Sequence, residues 1–378
     1  MTVLDAIARH RIVVVVGTGG VGKTTVSAAL ALAAAQQGRR AIVLTIDPAR
    51  ALARALGIAD LASEPQAVPV DVPGRMLAAM LDQKHAWDAF VARHAPSPSV
   101  VRALLDNPFY QRLSTSFAGS TEYMAVEEMC RLVESGDHDL IVLDTPPAAH
   151  ALDFLRAPAK IDRLLDRELT SWLVLGRGAW RSAGATARFV LRRLERATGK
   201  STLRDITAFF VALDALVGAV LDRTRRARAL LRGGDAAYVL VAGPRQLVLD
   251  ETRALAGQLR QQAAPLAAVV LNRVHAVPEL PLDTVEQDLA ALGDTPAARW
   301  LRRSWGDAVA EAADARATIA RFTATLPSGL AVARVAEAGH DLHSLADVAL
   351  VASALAHQPS TATAMPVTAI SPPAALSP

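Results

Sequence analysis

Ile12-Val-Val-Val-Val16-Gly17-Thr-Gly-Gly-Val-Gly22-Lys23-Thr24-Thr25 opens with a β-branched apolar run and closes with a glycine-rich turn. Five apolar residues in a row, with no polar alternation, read as a parallel strand buried on both faces. Gly17 to Thr24 fits the pattern G-x-x-x-x-G-K-[ST] and stands between that strand and an Ala/Leu-rich helix expected over Thr24–Gln37, the context that makes the pattern a phosphate-binding loop. Glycines lack a Cβ, so consecutive backbone N–H groups can converge on phosphate oxygens, and the helix N-terminus adds its partial positive charge. Gly19, Gly20, Val21, Gly22, Lys23, Thr24 and Thr25 are therefore the candidate nucleotide contacts. Lys23 is expected to reach the β- and γ-phosphates and to act in catalysis, with the Thr24 hydroxyl on Mg²⁺.

Outward from this loop, Gly38 stops the helix and Ala41–Ile46 forms a second apolar run ending at Asp47-Pro48, which completes a β-α-β unit. Further strands are expected at Met76–Met80, Leu140–Leu143, Tyr238–Ala242, Ala268–Leu271 and Leu330–Val335. Strands separated by helix-length segments predict an α/β fold with a mostly parallel sheet flanked by helices. Two stretches, about 83–134 and 156–232, hold helices but no credible strand and are expected to form a helical subdomain. Residues 1–357 read as one domain; 358–378, rich in Pro, Ser, Thr and Ala and without charge, read as a disordered tail.

Asp144 ends the apolar strand Leu140–Leu143. In open α/β sheets ligands bind at that edge, so Asp144 is the natural Mg²⁺ carboxylate; the other reading is a turn or cap acid. Asp47 also ends a strand, and its carboxylate is expected to face the same edge, as a catalytic water-positioning group and, with Thr24 and Asp144, as a metal-site residue.

Composition excludes several classes. The chain is 52% apolar, which fits a packed globule, and carries one cysteine, Cys130, so no intrachain disulfide or multi-thiolate metal site is available. No apolar run is long enough to span a membrane, and Met1 to Arg11 is polar and charged, so no signal peptide and a cytoplasmic location are expected. Residues 156–232 carry 17 Lys+Arg against 7 Asp+Glu, a net of +10 in a chain whose total is +3. Such a segment suits an acidic partner or membrane surface, or is a solvated helical face.

Gly-Gly-Val-Gly-Lys-Thr-Thr25, Asp47-Pro48-Ala49 and Asp144-Thr-Pro-Pro-Ala-Ala-His150-Ala-Leu-Asp-Phe-Leu155 together resemble the ArsA family, within the MinD/ArsA type of P-loop NTPases. The resemblance runs from about Ile12 to Leu355; Met80-Leu-Asp-Gln-Lys84 and Ala208-Phe-Phe-Val-Ala-Leu213 look most like ArsA-like ATPases of high-GC bacteria. It implies ATP and Mg²⁺ as cofactors and Asp47 as the switch carboxylate that positions the hydrolytic water. It implies Asp144 as the Mg²⁺ acid, with Thr24, and His150 as a coupler to the helical region; packing or capping is the other role for His150. Asn272 in Val270-Leu-Asn-Arg273 would read the adenine edge, unless it only ends its strand in a turn.

The family's extra lysine, directly after the first glycine of the loop, is Thr18 here. Since that lysine reaches across a dimer to the partner's phosphates, a homodimer is expected to turn over slowly, or a paralogous second subunit to supply the charge. With Cys130 alone, a multi-thiol arsenite site is impossible and an anion-pump subunit is the least favoured function. The resemblance implies a dimeric switch that captures and releases a hydrophobic or membrane-protein client. Ser171–Arg196, which mixes Trp172, Trp180 and Phe189 with arginines, is the candidate client or peripheral membrane surface, or else core and dimer contact. A ParA/MinD-like positioning ATPase acting on DNA or membrane is the alternative; nucleic acid is the less expected partner.

Overall fold

The structure, a computed structural model, describes residues 1–47, 51–116, 120–146, 153–160, 205, 208–209, 211–275, 282–340 and 342–357. Eight strands form one sheet in the order β3-β4-β2-β5-β1-β6-β7-β8. They are β1 (Ile12–Gly17), β2 (Arg40–Thr45), β3 (Gln66–Ala67), β4 (Arg75–Met80), β5 (Leu140–Asp144), β6 (Ala236–Ala242), β7 (Leu266–Val274) and β8 (Ala331–Ala336). Only β3 pairs antiparallel, with β4 at one edge; every other pair is parallel.

The two faces of β1 explain its sequence. Val13 and Val15 pack on one side of the sheet, Ile12, Val14 and Val16 on the other, and none of the five is exposed to solvent. On the first face lies α2 (Lys23–Gln36), packed against α12 (Leu345–Ala356), which also contacts β8. From Ala28 to Ala35 every residue of α2 is buried. Alanines there combine the highest helix propensity with close approach to sheet and helix alike. The opposite face is covered by α7 (Ser120–Ser135), α8 (Val217–Arg232), α9 (Gln246–Gln261) and the C-terminal half of α11 (Pro296–Thr323).

Between β4 and β5 the described chain is helical: α4 (Gln83–His94), α5 (Pro98–Leu105), α6 (Pro108–Ser116) and α7. α1 (Val3–Ile7), α3 (Ala51–Ala55) and α10 (Leu282–Ala291) are further helices, and residues 153–160 are helical too. The expected strands are all present within a few residues; β3 is an addition, too short to carry a periodic signal. The expectations for Pro48, His150, Ser171–Arg196 and the tail lie outside the described residues. Among the described residues no helix is long and apolar enough to cross a membrane.

Candidate nucleotide site

The sheet order places the site. β5 and β2, which end near Asp144 and Asp47, lie on one side of β1; β6 and β7, which lead to Gly243 and Asn272, lie on the other. The loop from β1 to α2 sits between them at the C-terminal edge, where ligands bind in such sheets.

Two glycines of this loop are dictated by their neighbours. Gly17 ends β1 so close to β6 that a Cβ would stand 2.3 Å from the Val241 carbonyl oxygen. Gly22, the N-cap of α2, has φ 86°, and a Cβ there would stand 2.3 Å from the Asn272 amide nitrogen. Asn272 Nδ2 donates to the Val21 carbonyl at 2.8 Å and so holds the loop from behind. Only one of its two amide hydrogens is used this way.

Lys23 begins α2, buried, and its Nζ donates to the Thr18 carbonyl at 2.8 Å. Burial pushes its pKa down, while Asp144 and Asp47 pull it back up. The ammonium is thus folded across the loop it would serve. Thr18 is itself buried, and its hydroxyl has no hydrogen-bond partner.

Asp144, 1% exposed, is the electrostatic centre. Its Oδ2 accepts from the Thr24 hydroxyl at 2.8 Å and from Thr45 at 3.0 Å; its Oδ1 accepts from Ser27 at 3.3 Å. Burial raises its pKa to about 6 against the lowering effect of these hydroxyls and of Lys23. Thr45 Oγ1 also accepts from the Asp47 backbone N–H at 3.2 Å. A hydroxyl therefore bridges the Asp144 carboxylate to the backbone of Asp47. Thr145 locks the next residue in place by donating to the Val15 carbonyl at 2.7 Å.

Thr24 and Asp144 fit a magnesium site. Mg²⁺ is commonly held by one or two carboxylates plus substrate phosphates and retained waters, and a hydroxyl 2.8 Å from a buried carboxylate is that lean protein contribution. On the β6–β8 side, Gly19, Gly20 and Val21 line a pocket of about 490 Å³ together with Arg245, Arg273, His275, Glu311, Asp314 and Glu337.

The structure thus brings together Lys23, Thr24, Asp144 and the backbone of Asp47, and places Asn272 against the loop. Ser27, Thr45, Thr145 and the pocket wall were not anticipated. Ser27 carried one signal, a lone hydroxyl a turn beyond Lys23 in a run of alanines and apolar residues.

A family model described as anion-transporting ATPase matches residues 10–287. The chain is 29% identical over 151 residues to the ATPase GET3 of Malassezia globosa, covering 40% of this chain and 43% of that protein. It is 32% identical over 160 residues to a Streptomyces coelicolor protein with no assigned function, covering 42% of this chain and 40% of that one. With the ATPase ARSA2 of Chlamydomonas reinhardtii it shares 26% identity over 265 residues, 68% of this chain and 66% of the relative. The matched stretch is thus about two fifths of the length of the first two.

Proposed function

The chain belongs to the anion-transporting ATPase family, and on that footing we propose that it binds Mg·ATP and hydrolyses it to ADP and phosphate. The observation that carries this is the convergence of Lys23, Thr24 and a buried Asp144 behind a left-handed glycine loop. The N–H groups of the loop and of the first turn of α2 bind phosphate oxygens. Lys23 exchanges the Thr18 carbonyl for the β- and γ-phosphates, a stronger acceptor for an ammonium. Thr24 and Asp144 hold the metal, which supplies neutralisation of charge on the phosphate oxygens. Asp47 orients the attacking water. Thr45 relays the state of Asp144 to Asp47, because one hydroxyl touches both.

The protein works in the cytoplasm as a two-state dimer that captures a hydrophobic or membrane-protein client in one nucleotide state and releases it in the other. The resemblance to the ArsA family and the GET3 name of one relative support this reading. A buried Thr18 in place of a lysine favours slow turnover alone and a paralogous second subunit.

Positioned acid–base groups typically contribute 10²–10⁴ in rate, so Asp47→Asn is expected to lower ATP turnover about 100-fold or more with nucleotide affinity little changed. Phosphate release and native mass, each with and without ATP, are the measurements. Wild-type turnover in the variant refutes the role of Asp47. A species that stays monomeric in ATP, alone and mixed with a paralogue, refutes the dimer.

A further inference from the structure

A second cavity, of about 500 Å³, lies at the opposite edge of the sheet from the phosphate loop. Leu266 begins β7 and Leu330 immediately precedes β8, whereas the loop follows the C-terminal end of β1, and these strands run parallel. Three anchored segments line it. α1 buries Val3, Leu4 and Ile7 in the core, and a capping box between Thr2 and Asp5 closes its start. α9 ends in a turn where Ala263 takes φ 56° and the Ala264 N–H donates to the Leu259 carbonyl at 3.0 Å. Before β8, Gly329 takes φ 85°, a left-handed value that suits glycine, and the Leu330 N–H donates to the Pro327 carbonyl at 3.3 Å. The cavity is thus preformed, as most small-molecule sites are, and lies within their usual range of about 300–1,000 Å³.

Its lining has two kinds of surface. Ala264, Pro265, Leu266 and Leu330 are apolar, while Arg9 and Arg260 are exposed cations. Among the described residues neither guanidinium has an ion-pair or hydrogen-bond partner. Asp5 is the one acid of the lining, and its carboxylate already accepts the Thr2 N–H at 2.8 Å. His10 is half-buried; desolvation, helped by the nearby Arg9 and Arg39, pushes its pKa down, so its ring adds no charge at neutral pH. Two arginines against one aspartate leave the lining net positive. A guanidinium presents paired N–H donors that match the oxygens of a carboxylate, phosphate or sulfonate. Unpaired guanidiniums beside an apolar surface suit a ligand that has both an anionic group and an apolar body.

We propose that this cavity is a second ligand site, for a small organic anion whose charged group meets Arg9 and Arg260 and whose apolar body lies against Pro265, Leu266 and Leu330. The site is separate from the phosphate loop and does not depend on the nucleotide reading above. Charge-assisted hydrogen bonds from the two arginines correspond to a preference of about tenfold or more over an uncharged ligand of the same shape.

The test is fluorescence titration of the full chain with anilinonaphthalene sulfonate, an anion on an apolar body, and with phenylnaphthylamine, the same rings without the charge. Each titration is run with and without saturating Mg·ADP. Wild type is expected to bind the sulfonate at one saturable site, about tenfold more tightly than the uncharged rings, whether or not Mg·ADP is present. Arg9→Gln combined with Arg260→Gln is expected to bring the two affinities to within about twofold by weakening the sulfonate alone. Ser328→Glu adds a repelling carboxylate to the lining and is also expected to weaken only the sulfonate. All three residues are exposed, and unchanged melting temperatures report that the variants fold. Equal wild-type affinity for the two probes overturns the proposal, as does displacement of the sulfonate by Mg·ADP. An undiminished preference in the double arginine variant or in Ser328→Glu also overturns it.

Discussion

Replacing Asp144 by Asn is expected to stabilise the nucleotide-free protein while abolishing ATP turnover. The two effects have one cause. Asp144 is buried, and its pKa is raised to about 6, chiefly by desolvation. In the unfolded chain an aspartate titrates near 3.9. A raised carboxylate pKa means that the folded state binds the proton more tightly. Relative to the protonated group, burial therefore costs nothing below about pH 4, costs progressively more as pH rises to about 6, and levels off at a constant cost by neutral pH. Two pKa units correspond to roughly 3 kcal/mol. Asn removes the charge and keeps the shape, and the hydroxyls of Thr24, Ser27 and Thr45 can rotate to donate or accept. At pH 7.5 the variant should therefore melt several degrees above wild type, and the gap should close towards pH 4–5. Turnover should fall by two orders of magnitude or more, since a neutral amide is a poor Mg²⁺ ligand. Melting curves against pH, with and without Mg·ADP, check both halves. Wild type should gain more from Mg·ADP than the variant does. An Asn variant less stable than wild type at neutral pH would show that the buried charge is compensated within the nucleotide-free fold.

The parts of this site legible in the sequence are those whose chemistry is local. The run Ile12–Val16 needs both faces of a sheet, and the glycine spacing before Lys23 needs a strand in front and a helix behind. Asp144 was visible because an acid that ends an apolar strand has few other places to be. What stayed hidden depends on contacts between distant segments. Thr45 and Ser27 are ordinary hydroxyls until the sheet brings them to Asp144, 99 and 117 residues away in sequence. The left-handed Arg273 and the bulge beside it follow from the pairing of β7 with β8, which no single-strand pattern encodes. β3 is held only by its pairing with β4, and two residues carry no period. The helical excursion at 83–134 was legible as helices, but the polar contacts between them were not, because a Glu at one position and an Arg nearly a hundred residues later look like two surface charges.

Of those charges the Glu is buried and the Arg largely so, and the second large effect follows from them. Glu127 on α7 is 5% exposed and accepts from Arg223 Nε on α8 at 2.7 Å. Arg223 also pairs with Glu134, which takes a further bond from Arg226 Nε at 3.0 Å. From α4, Arg93 approaches Glu127 at 3.5 Å and His94 at 3.7 Å. Burial raises the Glu127 pKa, and the neighbouring Arg223 guanidinium opposes the shift. Arg223 is the one cation in hydrogen-bond contact with Glu127 among the described residues. Arg223→Met retains most of the aliphatic volume but leaves Glu127 buried with only the longer contacts from α4. Breaking a buried pair from one side costs about 3–5 kcal/mol, because an uncompensated charge remains. Removing both partners is a different experiment. Glu127→Leu combined with Arg223→Met leaves no buried Glu127 charge to strand, and apolar replacement of a buried ion pair is often neutral. The single variant is therefore expected to lose about 3–5 kcal/mol in denaturant unfolding and the double variant to regain most of it. A single variant within about 1 kcal/mol of wild type would mean that Arg93 and His94 already suffice to hold the carboxylate. α7 runs directly into β5, which ends at Asp144, and α8 into β6, beside the phosphate loop. A weakened contact between these helices should also loosen the site, and a lower affinity for Mg·ADP in Arg223→Met, restored in the double variant, would show it.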